Sequence, residues 1–166
     1  PENLRSATLI QIASPSREDV DAYADILREL EGLCGSINGN FGELAWMPVR
    51  YIHRTVARKR LPGLYRAARV GLVTPLRDGM NLVAKEFIAA QDSADPGVLV
   101  LSRFAGAAEQ LKEALLVNPY DTHGTAAAIQ RALHMPLAER QERHSQLLER
   151  IKQHDVHWWS KSFLEA

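Results

Sequence analysis

The sequence has little of what marks secreted, membrane-spanning or nucleic-acid-binding proteins. Its single cysteine, Cys34, excludes an internal disulfide and a cysteine metal cluster, which favours a reducing compartment. The 20 basic and 20 acidic residues cancel, whereas general nucleic-acid binders carry a basic excess. The longest apolar runs, such as 70–73 and 97–101, are too short to cross a bilayer, and the first residues lack a signal-peptide pattern. We therefore predict a cytoplasmic protein with no membrane or nucleic-acid partner.

The length and composition are those of a globular domain. The 166 residues suffice for one well-buried domain and are few for two. Hydrophobic residues make up 46% and charged residues 24%, which argues against wholesale disorder. No repeat or linker interrupts the chain, so we predict a single domain over residues 1–166. Because the sequence starts at Pro1 without a methionine and stops at Ala166 inside a predicted helix, we expect a piece of a larger protein.

Short apolar segments alternate with helical patterns along the whole chain. The segments that predict buried strands are 7–13, 48–52, 70–74, 97–101 and 114–117. Apolar residues at three- and four-residue spacing predict helices from Ser16, a suitable N-cap, to near Gly35, and over 61–68, 80–91, 122–134 and 137–164. Gly39 and Gly42 mark a loop after the first helix. Strands that are apolar throughout indicate a parallel sheet covered on both faces, which predicts a doubly wound α/β fold.

The loop between the third predicted strand and the next helix, residues 74–81 (TPLRDGMN), is the best candidate ligand site. Ligands of open α/β sheets collect at the carboxyl ends of the strands. Gly79 would allow a sharp turn and close approach of a ligand, and Met80 to Val83 would offer N–H groups to a phosphate or diphosphate. Glu86 lies two turns further along the same helical face, about 10 Å, where a carboxylate could accept hydrogen bonds from a ribose diol. Asp78 could bind sugar hydroxyls.

Structural roles for the same residues stay open at this point. An Asp-Gly turn before a helix is common, so Asp78 can be a helix cap, and Glu86 can be a solvated helix residue. The sequence has neither a Walker-type phosphate loop nor a Gly-rich dinucleotide fingerprint. Nucleotide-sugar binding leads the ligand classes without excluding the others.

Residues 69–91 (RVGLVTPLRDGMNLVAKEFIAAQ) resemble the donor-site segment of retaining trehalose-6-phosphate synthases. The resemblance extends over 16–23, 96–108 and 117–121, nearly the whole chain in order. It implies one half of a GT-B fold, in which two Rossmann-like domains face each other across a cleft. The family transfers glucose from UDP-glucose to glucose 6-phosphate with retention, and needs no metal or other cofactor. The chain resembles the C-terminal, donor-binding domain, so the partner it lacks would be the N-terminal acceptor domain.

The resemblance also implies roles for individual residues. Asp78 would be the catalytic residue and would bond the hydroxyls of the donor glucose. Arg17 would reach across the cleft to the acceptor phosphate, which a forked guanidinium suits, although alone it could equally be a solvated helix residue. The other implied donor contacts are the backbone of Val56 to uracil, Glu86 to ribose, the N–H groups of Leu82 and Val83 to the diphosphate, and the backbone of Gly79, Met80 and Asn81 near the glucose.

Two departures from the family pattern limit what the chain can do. Family members often carry a larger aromatic residue at the position of Val56, which would contact the base differently. The basic pair that neutralises the departing diphosphate lies upstream of Pro1. We therefore expect the isolated chain to be inactive, because the charge on the leaving group would meet only helix N–H groups and water.

The C-terminal residues offer weaker candidates. His154 and His157 have a possible metal-ligand spacing on a predicted surface helix, and we expect no metal there. Trp158, Trp159 and Phe163 either pack on this domain's own sheet or form an interface with the N-terminal domain. In the second case their exposure would favour homo-oligomers.

The leading hypothesis is thus the donor half of a UDP-glucose-dependent glucosyltransferase that makes trehalose 6-phosphate. The first alternative is a nucleotide-sugar-binding module without catalysis. The second is a related glycosyltransferase with another acceptor, because Arg17 is the sole acceptor contact that the resemblance implies here.

Overall fold

The computed structural model describes residues 5–15 and 21–165. The chain divides into two compact units, Pro1–Arg58 and Lys59–Ala166, which we call unit 1 and unit 2 and describe separately. The single domain expected from the sequence stays a prediction. Within the described ranges no helix is both long and apolar enough to span a membrane.

Unit 1 contains strand β1 (Leu9–Ala13), helix α1 (Asp21–Phe41) and strand β2 (Val49–His53). The two strands are parallel, with Leu9 opposite Val49 and Ala13 opposite His53. This arrangement confirms the predicted strand–helix–strand order, since parallel neighbours need a crossover connection. The Asn38 side chain ties α1 to β2: its Nδ2 donates to the Val49 carbonyl (2.9 Å) and its Oδ1 accepts from the Val49 N–H (3.0 Å).

Two sequence predictions for unit 1 are wrong. The first helix does not end near Gly35 but runs through Gly39 to Phe41, because Asn38 and Val49 hold its last turns against β2. Strand β1 is not buried: Leu9 and Ile10 are 45% and 50% exposed. The predicted N-cap Ser16 lies outside the described residues.

Unit 2 carries strands β3 (Val70–Val73), β4 (Val98–Ser102) and β5 (Leu115–Val117), all parallel and in the order β3-β4-β5. Its helices are α2 (Leu61–Ala67), α3 (Leu82–Ala90), α4 (Thr122–Leu133), α5 (Leu137–Gln153) and α6 (Val156–Leu164). A 3₁₀ turn, Arg58–Arg60, precedes α2, and a second one, Gly106–Glu109, follows β4.

The central strand β4 is buried along its whole length. Its side chains alternate between two hydrophobic clusters, as the two-residue period of a strand requires. Leu99 and Leu101 pack with Phe87 and Ile88 of α3. Val98 and Val100 belong to the other cluster, together with Leu115, Val117, Ala132 and Met135. The prediction of a parallel sheet covered on both faces is therefore confirmed for this unit.

The final predicted helix, 137–164, is in fact two helices. Helix α5 stops at Gln153, and α6 begins at Val156. Asp155 caps the second helix, because its Oδ1 accepts hydrogen bonds from the N–H groups of His157 (3.0 Å) and Trp158 (2.9 Å). His154 and His157 therefore do not share a helix face.

Candidate functional site

Two loops at the carboxyl ends of β3 and β4 are joined by backbone hydrogen bonds. The Asp78 N–H donates to the Phe104 carbonyl (3.2 Å), and the Gly106 N–H donates to the Asp78 carbonyl (2.9 Å). The Ala107 N–H donates to the Met80 carbonyl (2.6 Å). The segment that leads into α3 is therefore held in one shape by the neighbouring loop.

Gly106 is the residue whose small size this junction requires. A Cβ atom at Gly106 would lie 2.1 Å from the Gly79 carbonyl oxygen, closer than any real contact. A Cβ at Gly79 would meet nothing within 4 Å, and Gly79 does not have a positive φ. The left-handed turn lies instead at Asn81, with φ of 76°. The chain does bend at Gly79, as predicted, while the left-handed residue of the segment is Asn81, which tolerates that conformation.

The Asp78 carboxylate is hydrogen-bonded within its own loop. Its Oδ1 accepts from the Met80 N–H and its Oδ2 accepts from the Asn81 Nδ2, both at 3.0 Å. The Asn81 Oδ1 in turn accepts from the Ala84 N–H (3.0 Å), so Asn81 is the N-cap of α3. Asn81 rather than Asp78 is thus the helix cap, and Asp78 instead orders the entry loop. Because the Met80 N–H binds Asp78, it is not available to a ligand as predicted.

Leu82 and Val83 are the first two residues of α3, and they are 61% and 45% exposed. The N–H groups at these positions precede the first hydrogen bond of a helix and lie at the positive end of its dipole. The Met80 N–H binds Asp78 and the Ala84 N–H binds Asn81, whereas the N–H groups of Leu82 and Val83 are well placed for an anion.

Glu86 is half-buried on α3, one turn beyond Leu82. Burial, and then the nearby Glu86 carboxylate, raise the pKa of Tyr65 of α2. Leu82, Val83 and Glu86 thus stand on one helix, as the sequence predicted.

The two predicted site residues of unit 1 are not tested by this geometry. Val56 is half-buried and lies in the segment between β2 and the 3₁₀ turn Arg58–Arg60. Arg17 lies outside the described residues. Their roles toward the base and the acceptor phosphate stay predictions.

The C-terminal candidates separate in the structure. His154 is the C-cap of α5, and its Nδ1 lies 3.0 Å from the Arg150 carbonyl oxygen. No group of three or more potential metal ligands occurs in the described part of the chain. The rings of Trp159 and Phe163 stack at 5.4 Å, and Trp158, Trp159 and Phe163 are 41%, 49% and 69% exposed. This exposure disagrees with the alternative in which the three rings pack on the domain's own sheet.

Sequence reasoning missed three residues that shape the site: Tyr65, Gly106 and the side chain of Asn81. Asn81 could have been found, because asparagine directly before an apolar helical pattern is a strong N-cap signal. Tyr65 and Gly106 contact residues that are distant in sequence, and no local sequence pattern predicts such contacts.

The sequence model of glycosyltransferase family 20 matches residues 1–166. The chain belongs to glycosyltransferase family 20. Among curated relatives, it is 55% identical over 165 residues to a trehalose-6-phosphate synthase of Klebsiella pneumoniae, and 54% identical over 164 residues to one of Sinorhizobium fredii. Each alignment covers 99% of this chain and 35% of the relative, so the chain spans about a third of their length.

Solved structures agree with this assignment. An α,α-trehalose-phosphate synthase (UDP-forming) from Burkholderia xenovorans, in complex with glucose-6-phosphate, superposes with a TM-score of 0.96 at 53% identity. A structure from E. coli bound with UDP-2-fluoro glucose gives the same two values. Both cover 99% of this chain, which corresponds to 36% and 37% of those chains. The fold is thus Rossmann-like, consistent with one half of a GT-B enzyme.

Proposed function

We propose that this chain is the donor-binding part of an enzyme that transfers glucose from UDP-glucose to glucose 6-phosphate, giving trehalose 6-phosphate with retention. The observation that carries the proposal is the start of α3, where the exposed residues Leu82 and Val83 precede Glu86 on one helix. The relatives that match over nearly the whole chain are named trehalose-6-phosphate synthases, which supports the same substrates.

The proposed donor lies along α3. The N–H groups of Leu82 and Val83 bind the diphosphate, where the helix dipole favours negative charge. Glu86, further along the helix, accepts hydrogen bonds from the ribose hydroxyls. In the reaction the bond between glucose and the diphosphate breaks, and the same N–H groups stabilise the charge that develops on the departing UDP.

Asp78 serves the glucose end of the donor in this proposal. Its carboxylate already accepts hydrogen bonds from Met80 and Asn81, so it is fixed before the donor arrives. A carboxylate has about four lone-pair sites, which leaves acceptor capacity for sugar hydroxyls. The backbone of Gly79 to Asn81 approaches the same sugar.

The remaining contacts belong to unit 1 and to chain outside this sequence. Val56 would meet uracil through its backbone, and Arg17 would bind the phosphate of glucose 6-phosphate. The N-terminal domain would supply the rest of the acceptor site and the basic pair that meets the diphosphate. The exposed apolar residues of α6 support an interface with that domain, and in the isolated chain they would favour association. We also place the protein in the cytoplasm, since its one cysteine, Cys34, is a free thiol.

The test is a calorimetric titration of the full-length protein and of this chain with UDP, UDP-glucose, GDP-glucose and glucose 6-phosphate, together with an assay for trehalose 6-phosphate. We expect the full-length protein to bind UDP-glucose and to form product. The isolated chain should bind UDP and UDP-glucose weakly and form no product. Product formation by the isolated chain would contradict the need for a second domain. Donor binding by a full-length protein that forms no product would favour a binding module instead.

Replacing Arg17 by Ala in the full-length protein separates acceptor from donor. We expect weaker use of glucose 6-phosphate with unchanged affinity for UDP-glucose, because the guanidinium is proposed to touch only the acceptor phosphate. Equal loss for both substrates would remove Arg17 from this role.

A further inference from the structure

Basic side chains are concentrated in one stretch of a chain whose net charge is zero. Residues 44–77 contain eight lysines and arginines and no acidic residue. Five of the eight belong to unit 2 and are exposed: Lys59, Arg60, Arg66, Arg69 and Arg77. What this surface attracts depends on which of the five charges are neutralised by neighbouring carboxylates.

Two of the five charges are neutralised. The Arg66 Nη2 lies 2.6 Å from the Asp92 Oδ2, and the Arg69 Nη1 lies 3.0 Å from the Asp95 Oδ1. Each pair combines one positive and one negative charge, so its field falls off quickly with distance.

The other three charges are unpaired. Lys59, Arg60 and Arg77 make no hydrogen bond or ion pair with any residue that the structure describes, and we call these three residues the cationic rim. The Asp78 carboxylate follows Arg77 in sequence but accepts hydrogen bonds from the Met80 N–H and the side chain of the next residue instead. The cationic rim therefore keeps its charge available to a ligand.

Helices α2 and α3 pack against each other and end together. The Tyr65 carbonyl near the end of α2 accepts a hydrogen bond from the Gln91 Nε2 at the end of α3 (2.5 Å). The Gln91 Oε1 also accepts from the N–H of Gly97 (2.7 Å), just before β4, so these helix ends lie at the amino edge of the sheet. Both helices therefore begin toward the carboxyl edge, where Arg60 precedes α2 and Arg77 lies in the loop before α3.

We propose that the cationic rim attracts the anionic nucleotide sugar to the start of α3 and so speeds its capture. The inference rests on the proposed function, which places the diphosphate at the N–H groups of Leu82 and Val83. A diphosphate is ionised at neutral pH, and a surface of opposite charge can raise the rate of association about tenfold or more. The rim acts on the arrival of the ligand, and the backbone N–H groups then bind it.

The range of the electrostatic attraction fits this arrangement. At 0.1 M ionic strength, exposed charges act over about 10 Å. Helix α2 has seven residues and is therefore about 10 Å long, so the neutralised pairs of Arg66 and Arg69 lie one such length further from the carboxyl edge. A long exposed side chain also loses rotamer freedom when it is fixed, and attraction without a fixed contact avoids that loss.

The experiment measures the association and dissociation rates of UDP with the full-length protein by stopped flow. The test variant carries Lys59→Gln, Arg60→Gln and Arg77→Gln, which keep length and polarity but remove the three charges. At about 0.01 M ionic strength we expect kon to fall about fivefold and koff to change less than twofold. At about 1 M ionic strength the difference in kon should disappear, because exposed charges are then screened within about 3 Å.

Two controls separate charge from contact and from folding. The charge-conserving variant Lys59→Arg, Arg60→Lys and Arg77→Lys should keep the kon of the unchanged protein, since it alters hydrogen-bond geometry but not charge. Uridine has no phosphate, so its kon should be the same in all three proteins. An unchanged kon for UDP in the glutamine variant would overturn the inference, and so would a loss that also occurs in the charge-conserving variant or with uridine.

The same measurements separate this inference from the proposed function. If UDP does not bind the full-length protein, the proposed function fails and the role of the cationic rim fails with it. If UDP binds and trehalose 6-phosphate forms, but the glutamine variant captures UDP at the original rate, the proposed function stands and the rim alone is wrong.

Discussion

Units 1 and 2 are built from the same kind of parallel strands but bury them very differently. In unit 1, Val49 is the one buried hydrophobic residue among those the structure describes, and apolar residues of α1 such as Ile26 and Leu33 are 61% and 54% exposed. In unit 2, β4 is buried throughout and packs against helices on both faces. An apolar pattern therefore predicts an element reliably, but whether that element is buried depends on which other elements pack against it.

The comparison also explains where the candidate site is well defined. The start of α3 belongs to unit 2, where the loops after β3 and β4 bind each other and Asn81 caps the helix. A phosphate site made of backbone N–H groups needs such a fixed frame, because its donors cannot adjust by side-chain rotation.

The largest expected contrast is between two isoleucines on helices. Ile88 of α3 is 1% exposed and Ile26 of α1 is 61% exposed. We expect Ile88→Ala to lower the free energy of unfolding by about 3 kcal/mol, through lost burial and the cavity left behind. Ile26→Ala should change it by less than about 0.5 kcal/mol. Urea denaturation of this chain measures both, and equal losses would contradict the difference in burial between the units.

Replacing two glycines by alanine should change the free energy of unfolding in opposite directions, with a loss in unit 2 and a gain in unit 1. Ala at Gly106 would press its Cβ against the Gly79 carbonyl oxygen, so we expect a loss of about 2 kcal/mol in unfolding free energy. Gly39 lies inside α1, where an added Cβ meets nothing within 4 Å, so Gly39→Ala should stabilise the chain by about 0.5–1 kcal/mol. Thermal unfolding of the two variants measures both changes in stability. A neutral Gly106→Ala would show that the contact between the two loops is not tight.

A buried arginine of unit 2 and an exposed arginine of unit 1 extend the comparison to polar side chains. Arg140 of α5 is 8% exposed, and it donates to the Asp95 carboxylate and to the carbonyls of Met135 and Pro96. We expect Arg140→Ala to cost about 2 kcal/mol, because buried acceptors lose their donor. Arg28 of α1 makes an exposed ion pair with Asp25, and Arg28→Ala should cost less than about 0.5 kcal/mol. Denaturant midpoints check both values, and similar losses would count against a buried role for Arg140.

The smallest expected effect is a pH dependence that comes from Asp95. The hydrogen bonds from Arg69 and Arg140 hold the pKa of Asp95 below its usual value. Because its folded-state pKa is lowered, ionised Asp95 stabilises the folded protein at pH values above the unfolded-state pKa of about 3.9. This stabilisation is lost as the pH falls below that value. Asp95→Asn should therefore flatten the fall in stability between about pH 4.5 and pH 3. An unchanged pH profile of unfolding would show that the two arginines do not matter in this range.

Local chemistry explains which parts of the fold could be read from the sequence. The β-branched segments at Val70–Val73 and Val98–Ser102 are strands because a buried parallel sheet needs continuous apolar residues. The first helix was predicted too short because Gly35 and Gly39 resemble stop signals. The contact of Asn38 with Val49, which no local pattern contains, carries the helix past both glycines.

The candidate site was likewise predictable where its residues are adjacent in sequence. The run from Asp78 to Glu86 is contiguous, so one helix with its entry loop places all of its residues. The hydrogen bonds within the loop were not predictable, because they depend on the close approach at Gly106 and on which oxygen of Asp78 accepts which donor. The roles of Val56 and Arg17 depend on elements of unit 1 and on the acceptor, and they stay predictions.

The most direct test of the central claim, that the start of α3 holds a nucleotide diphosphate, is an amide NMR map of this chain titrated with UDP. The account predicts the largest shift changes at the N–H groups of Leu82 and Val83, smaller ones through Glu86, and none at Ile26 of α1. Shift changes spread over the surface, or confined to residues away from the start of α3, would contradict it.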